Sequence, residues 1–85
     1  MMTDIEYEVL DELYFVISYS DLKEQTGIDE KDLKHCLMEL MEKKWIVCFK
    51  SISEELPIEN VNLGEGFKNY FYLASKKGLF AHNKT

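Results

Sequence analysis

The chain has 85 residues with 10 lysines, no arginine and 16 Asp plus Glu, for a net charge of -6, and its size is that of one domain with room for only one small core. Its apolar fraction of 46% is that of a globular chain, and no run nears the ~18 consecutive apolar residues of a membrane span. The opening "MMTDIEYEVLDE" is acidic where a secretion signal would be basic, and Cys36 with Cys48 are too few for a disulfide framework, so a cytoplasmic protein is expected.

In chain order, Thr3 followed by Glu6 is a capping-box signal, and Ile5, Val9, Leu13, Val16 and Ile17 then recur at helical spacing. A first helix is expected over about residues 4–17. Asp4, Glu8, Asp11 and Glu12 gather on its opposite, solvated side, and Phe15 falls among them. Phe15 is either covered by the C-terminal segment or frayed helix, or it is an exposed aromatic at a dimer contact. Tyr7 and Tyr14, with Leu10 between them, form a flank that either makes a homodimer or partner contact or caps the edge of the core.

A second helix is expected over about 21–25 with Ser20 as its N-cap, ending at Gly27, which supplies the positive φ of a tight turn. A third, over about 29–44, starts at Asp29 and turns Leu33, Cys36, Leu37, Leu40 and Met41 inward. Lys31, Lys34, His35, Met38 and Glu42 then face outward. "IVCFKSI" and "NYFYLA" are rich in β-branched and aromatic residues and predict antiparallel strands at about 46–52 and 69–74. The loop between them, about 53–68, contains Pro57, Gly64 and Gly66. A short helix begins at Ser75 and frays in the tail.

Catalytic chemistry is not expected. His35 and Cys36 are sequence neighbours and point about 100° apart on a helix, so they do not face each other as base and nucleophile. A zinc site from Cys36, Cys48, His35 and His82 lacks the usual paired ligand spacings, and "GEG" at 64–66 is a turn signal rather than a phosphate fingerprint. No metal and no cofactor are expected.

The stretch "DLKEQTGIDEKDLKHCLMELMEKKWIV" resembles the helix-turn-helix of winged-helix regulators of the MarR and ArsR type, and "YFYLASKKGL" resembles their closing strand and helix start. The resemblance covers about residues 18–80 and implies a small α+β winged helix, a three-helix bundle with a two- to three-stranded antiparallel wing, occupying residues 1–85 as one domain. It implies further that the third helix enters the major groove of DNA, with Glu30, Lys31, Asp32, Lys34 and His35 toward the bases and Met38 farther along, Ser20 toward a phosphate, and Lys50 and Lys68 flanking the wing. Where the family usually ends that helix with Gly, this chain has Lys44. The wing also carries Glu54, Glu55, Glu59 and Glu65. Two functions follow as expectations: a small DNA-binding transcriptional regulator acting as a dimer, or a winged helix serving as a protein-interaction module, favoured by the missing arginine and the acidic wing.

Overall fold

In the computed structural model, which describes residues 2–84, the Thr3 capping box forms as a reciprocal pair. The Glu6 N–H donates to Thr3 Oγ1 at 3.1 Å, and the Thr3 N–H donates to Glu6 Oε1 at 2.9 Å. Helix α1 that follows spans only Asp4–Asp11. It stops well short of residue 17 because the next residues are claimed elsewhere. The Ala74 N–H donates to Leu13 O at 2.9 Å, and Ile17–Ser18 become strand β1. Val16 and Ile17 are β-branched, so extended backbone suits them better than a last helical turn.

Ser18, not Ser20, caps α2 (Tyr19–Thr26), accepting from the Asp21 N–H at 3.1 Å; the helix starts two residues earlier than expected because β1 delivers the chain there. Gly27 ends it at φ 67°. Asp29 then caps α3 (Glu30–Glu42), which buries Leu33, Cys36, Leu37 and Leu40. Its end is a Schellman turn built without glycine: the Trp45 N–H reaches Leu40 O at 2.9 Å and the Lys44 N–H reaches Met41 O at 3.0 Å, with Lys44 itself at φ 64°.

Strands β2 (Ile46–Ser51), β3 (Glu54–Leu56) and β4 (Phe71–Ala74) complete an antiparallel sheet in the order β1-β4-β2-β3. The segment expected as an open loop at 53–68 therefore holds structure: β3, a 3-10 turn at Ile58–Asn60, α4 (Leu63–Gly66) and a second 3-10 turn at Phe67–Asn69. Two tyrosines tie it down. The Tyr72 hydroxyl, fully buried, donates to Phe67 O at 2.5 Å, and the Asn62 N–H donates to Tyr70 Oη at 2.9 Å. Gly64 and Gly66, a turn signal in the sequence, lie within the short helix α4.

Helix α5 (Lys76–Asn83) is capped by Ser75 and packs on α1; Thr85, the end of the tail expected to fray, lies outside the described residues, as does Met1 at the start of the 1–85 domain. Gly78 on α5 sits directly on the backbone of Trp45. One core unites all layers, with Val9, Leu10, Leu13, Leu22, Leu33, Leu37, Leu40, Ile46, Cys48 and Tyr72 withdrawn from solvent. The described residues thus form a small α+β fold of five α-helices on a four-stranded antiparallel sheet. Among them no helix is long and apolar enough to cross a membrane.

Candidate functional site

The outward face of α3 meets the second 3-10 turn around Phe67, and three expected site residues converge there. Tyr19, the first residue of α2, packs edge-on against the Phe67 ring with centroids 5.3 Å apart. Lys34 Nζ lies 5.1 Å from the same ring centroid and Lys68 Nζ 5.8 Å, both within cation–π range. Lys68 also closes a 2.8 Å ion pair with Glu30, in the first turn of α3. That hydrogen bond raises the Lys68 pKa above the ordinary lysine value. Ser20 lies beside this cluster, lining a shallow depression with Tyr19, Lys23, Glu24, Glu30 and Lys68. The Tyr19 hydroxyl is buried without a hydrogen-bond partner among the described residues, and burial raises its pKa.

His35 lies 3.9 Å from Glu39 Oε1, one turn further along α3, and both line the depression between α3 and α1. Lys31 and Lys50 are exposed and make no ion pair among the described residues; Lys50 sits on β2 beside the irregularity between Phe49 and Ser51. The structure thus brings Ser20, Lys34 and Lys68 together, sets His35 on the side of α3 that faces the depression with α1, and leaves Lys50 apart on the sheet. Lys68 does not flank the wing as a free cation, because Glu30 engages it.

The Tyr7, Leu10, Tyr14 and Phe15 group divides. Leu10 is 0% exposed and cannot contact a partner, since α1 turns it into the core. Tyr7 stacks on His82 of α5 at 4.3 Å, and Tyr14 meets the same ring edge-on at 5.6 Å. The Tyr14 hydroxyl lies 3.0 Å from His82 Nδ1 and donates to Asn83 Oδ1 at 2.9 Å, while His82 Nε2 faces Asp11 Oδ1 at 3.4 Å. The two tyrosines therefore clamp α5 within the chain. Phe15, 83% exposed, is the member of the group that stands free in solvent. In the sequence His82 stood out only as a weighed metal ligand, and the seven-residue spacing of Tyr7 and Tyr14 marked a shared face without naming His82 as what covers it.

Between α3 and the segment after β3 runs an apolar groove that no sequence motif announced. Met38, Met41, Glu42, Ile58, Val61 and Leu63 line one part of it, a cleft of ≈ 300 Å³. An adjoining cleft of ≈ 310 Å³ shares Met41 and Ile58 and continues past Leu56 and Glu55 to β2.

A third depression, between α1 and α3, contains the buried carboxylate of Glu6, paired with Lys43 at 2.6 Å. Burial alone would raise the Glu6 pKa, but the Lys43 hydrogen bond and the Thr3 contacts outweigh it and hold the carboxyl below its ordinary value. Both cysteines are buried, and their thiol pKa values are pushed up to about 12 by desolvation, the reverse of what a nucleophile requires. Among the described residues no group of three or more His, Cys, Asp or Glu is placed to hold a metal ion. Comparison of the chain with models of protein families, with curated proteins and with solved structures finds no match.

Proposed function

We propose that this chain is a winged helix that serves as a protein-interaction module. The fold reading is supported by the order α1-β1-α2-α3-β2 with a later strand, β4, returning between β1 and β2, and by the hairpin of β2 and β3 that extends the sheet as a wing. The observation that carries the functional reading is the state of the basic side chains on α3 and on the turn it meets. Lys68 is engaged by Glu30, His35 lies beside Glu39, and Lys34 rests on Phe67. Duplex DNA is held largely by neutralising phosphates and releasing their counterions. A phosphate reaching Lys68 would first have to displace a carboxylate, and the exposed Glu54, Glu55, Glu59 and Glu65 of the wing region would repel it further. The buried, free thiols fit a reducing compartment, which supports a cytoplasmic setting. No catalytic role and no cofactor are proposed.

A second reading, a DNA-binding regulator, draws on Lys31, exposed on α3, together with Ser20 and Lys23 at the depression beside Lys68. One titration separates the two. Fluorescence anisotropy of a labelled random duplex at ~50 mM and ~200 mM salt should show no salt-dependent saturation. Binding that weakens steeply with salt and disappears in Lys31→Glu with Lys34→Glu would overturn the module reading and install the second.

A further inference from the structure

We propose that the groove between α3 and the wing is the docking surface of the module, and that its occupant is a basic amphipathic peptide segment of a partner protein. The inference rests on the module reading and adds to it the place and the chemistry of the partner.

The groove's floor and walls come from different parts of the chain. Met41 is half-buried at its centre, Met38 stands on the α3 side at 43% exposure, and Ile58 faces them from the 3-10 turn at 53% exposure. Leu63 closes the floor beneath. Methionine is unbranched and polarizable, so a wall containing two of them adapts to the outline of an apolar anchor with little strain. Apolar side chains left in water at the mouth of a cleft gain free energy in proportion to the area that a partner covers. Two adjoining cavities that share Met41 and Ile58 provide seats for two successive anchors, the arrangement an amphipathic segment presents at helical or strand spacing.

Charge decides which segment. Glu42 lines one part of the groove and Glu55 the other, and two more exposed acids neighbour lining residues in sequence, Glu54 next to Glu55 and Glu59 next to Ile58. Lys44 is a lining cation, and these acids outnumber it. An acidic rim around an apolar floor repels acidic partners, attracts basic ones and speeds their approach. The matching occupant is a segment with two or more aliphatic anchors flanked by lysine or arginine.

The probe is a fluorescein-labelled peptide of roughly 15 residues made of leucine and lysine at helical spacing, titrated with the full chain. Three comparison peptides accompany it: one with glutamate for lysine, one with alanine for leucine, and the original at ~200 mM salt. Expected is saturable binding of the leucine–lysine peptide, weakened by salt, with none of the glutamate peptide and at least roughly tenfold weaker binding of the alanine peptide.

Met38→Glu and Ile58→Glu, both at exposed positions, should each weaken binding about tenfold while circular dichroism stays unchanged, and Glu42→Lys with Glu55→Lys should do the same. Should either apolar variant perturb the fold, Met38→Ala and Ile58→Ala serve in its place, with a smaller loss expected. Absence of peptide binding overturns the inference, as does binding that ignores these substitutions or that the alanine peptide matches. None of those outcomes touches the module reading itself, which falls instead to salt-steep binding of duplex DNA.

Discussion

Replacing Gly78 with alanine should destabilise the protein, although alanine is the better helix former by about 1 kcal/mol. A Cβ at Gly78 would stand 2.0 Å from the Trp45 carbonyl oxygen, 2.9 Å from its carbon and 3.1 Å from its Cα. Ordinary contact begins near 3.4 Å, so α5 and the start of β2 must part by about 1.4 Å. Both sides are backbone, and neither can turn away. The same junction is held by the Ser75 N–H donating to Trp45 O at 2.8 Å and by Ser75 Oγ donating to Lys44 O at 2.7 Å. Losing both bonds costs about 1 kcal/mol each, and overpacking of this kind costs about 1–3 kcal/mol. Set against the propensity gain, the net loss is about 2–4 kcal/mol. In a domain of this size it lowers the melting temperature by at least about 8 °C. Urea unfolding followed by Trp45 fluorescence, with melting followed by circular dichroism, reads both quantities. An alanine variant as stable as the parent would refute the argument that α5 is seated on the Trp45 backbone.

Lys44→Gly should do the opposite. A left-handed residue with a side chain costs about 1–2 kcal/mol, of which glycine returns part through its freer unfolded chain, leaving a gain of about 0.5–1 kcal/mol. A higher urea midpoint at unchanged slope is the expected result; a lower one would mean that the Lys44 side chain holds something the φ angle does not reveal. Glu6→Gln should cost about 1–3 kcal/mol near neutral pH, because Lys43 then loses its buried partner. The folded carboxyl titrates below its ordinary value of 4.5, so its contribution is complete above that pH and is lost as pH falls through the lowered value. The gap between parent and variant, measured by urea unfolding from pH 7 down to about pH 3, should therefore close at the acid end. A gap that stays constant would contradict the pairing.

Local signals were legible where they act over three or four residues. Thr3 with Glu6, Gly27, Asp29 and Ser75 all mark element ends that the structure keeps. The end of α1 was not legible, because Val16 and Ile17 satisfy a helical period and an extended strand equally well, and the choice is made by β4, more than fifty residues later. Ser18 and Ser20 offer the same capping chemistry, and only the start of β1 at Ile17 decides between them. The 53–68 segment looked like open loop because its order depends on Tyr70 and Tyr72, which reach back to Asn62 and Phe67. At the candidate surface, helix phase correctly turned Lys31, Lys34, His35 and Met38 outward. It could not foresee Glu30 holding Lys68, Phe67 beneath Lys34, or Ile58 facing Met38, since each pairs α3 with a residue of the distant return segment.

The two buried thiols have a use of their own. Cys36 belongs to α3 and Cys48 to β2, and each is shielded both by packing and by a thiol that releases its proton only at high pH. A thiol reagent can reach either one only when the surrounding structure opens, so the rate of labelling is a clock for that opening. Equal rates at the two sites would describe a molecule that opens as a whole. A faster Cys36 would describe a helix α3 that loosens while the sheet stays closed, and single-cysteine variants can time the two events separately in the native state.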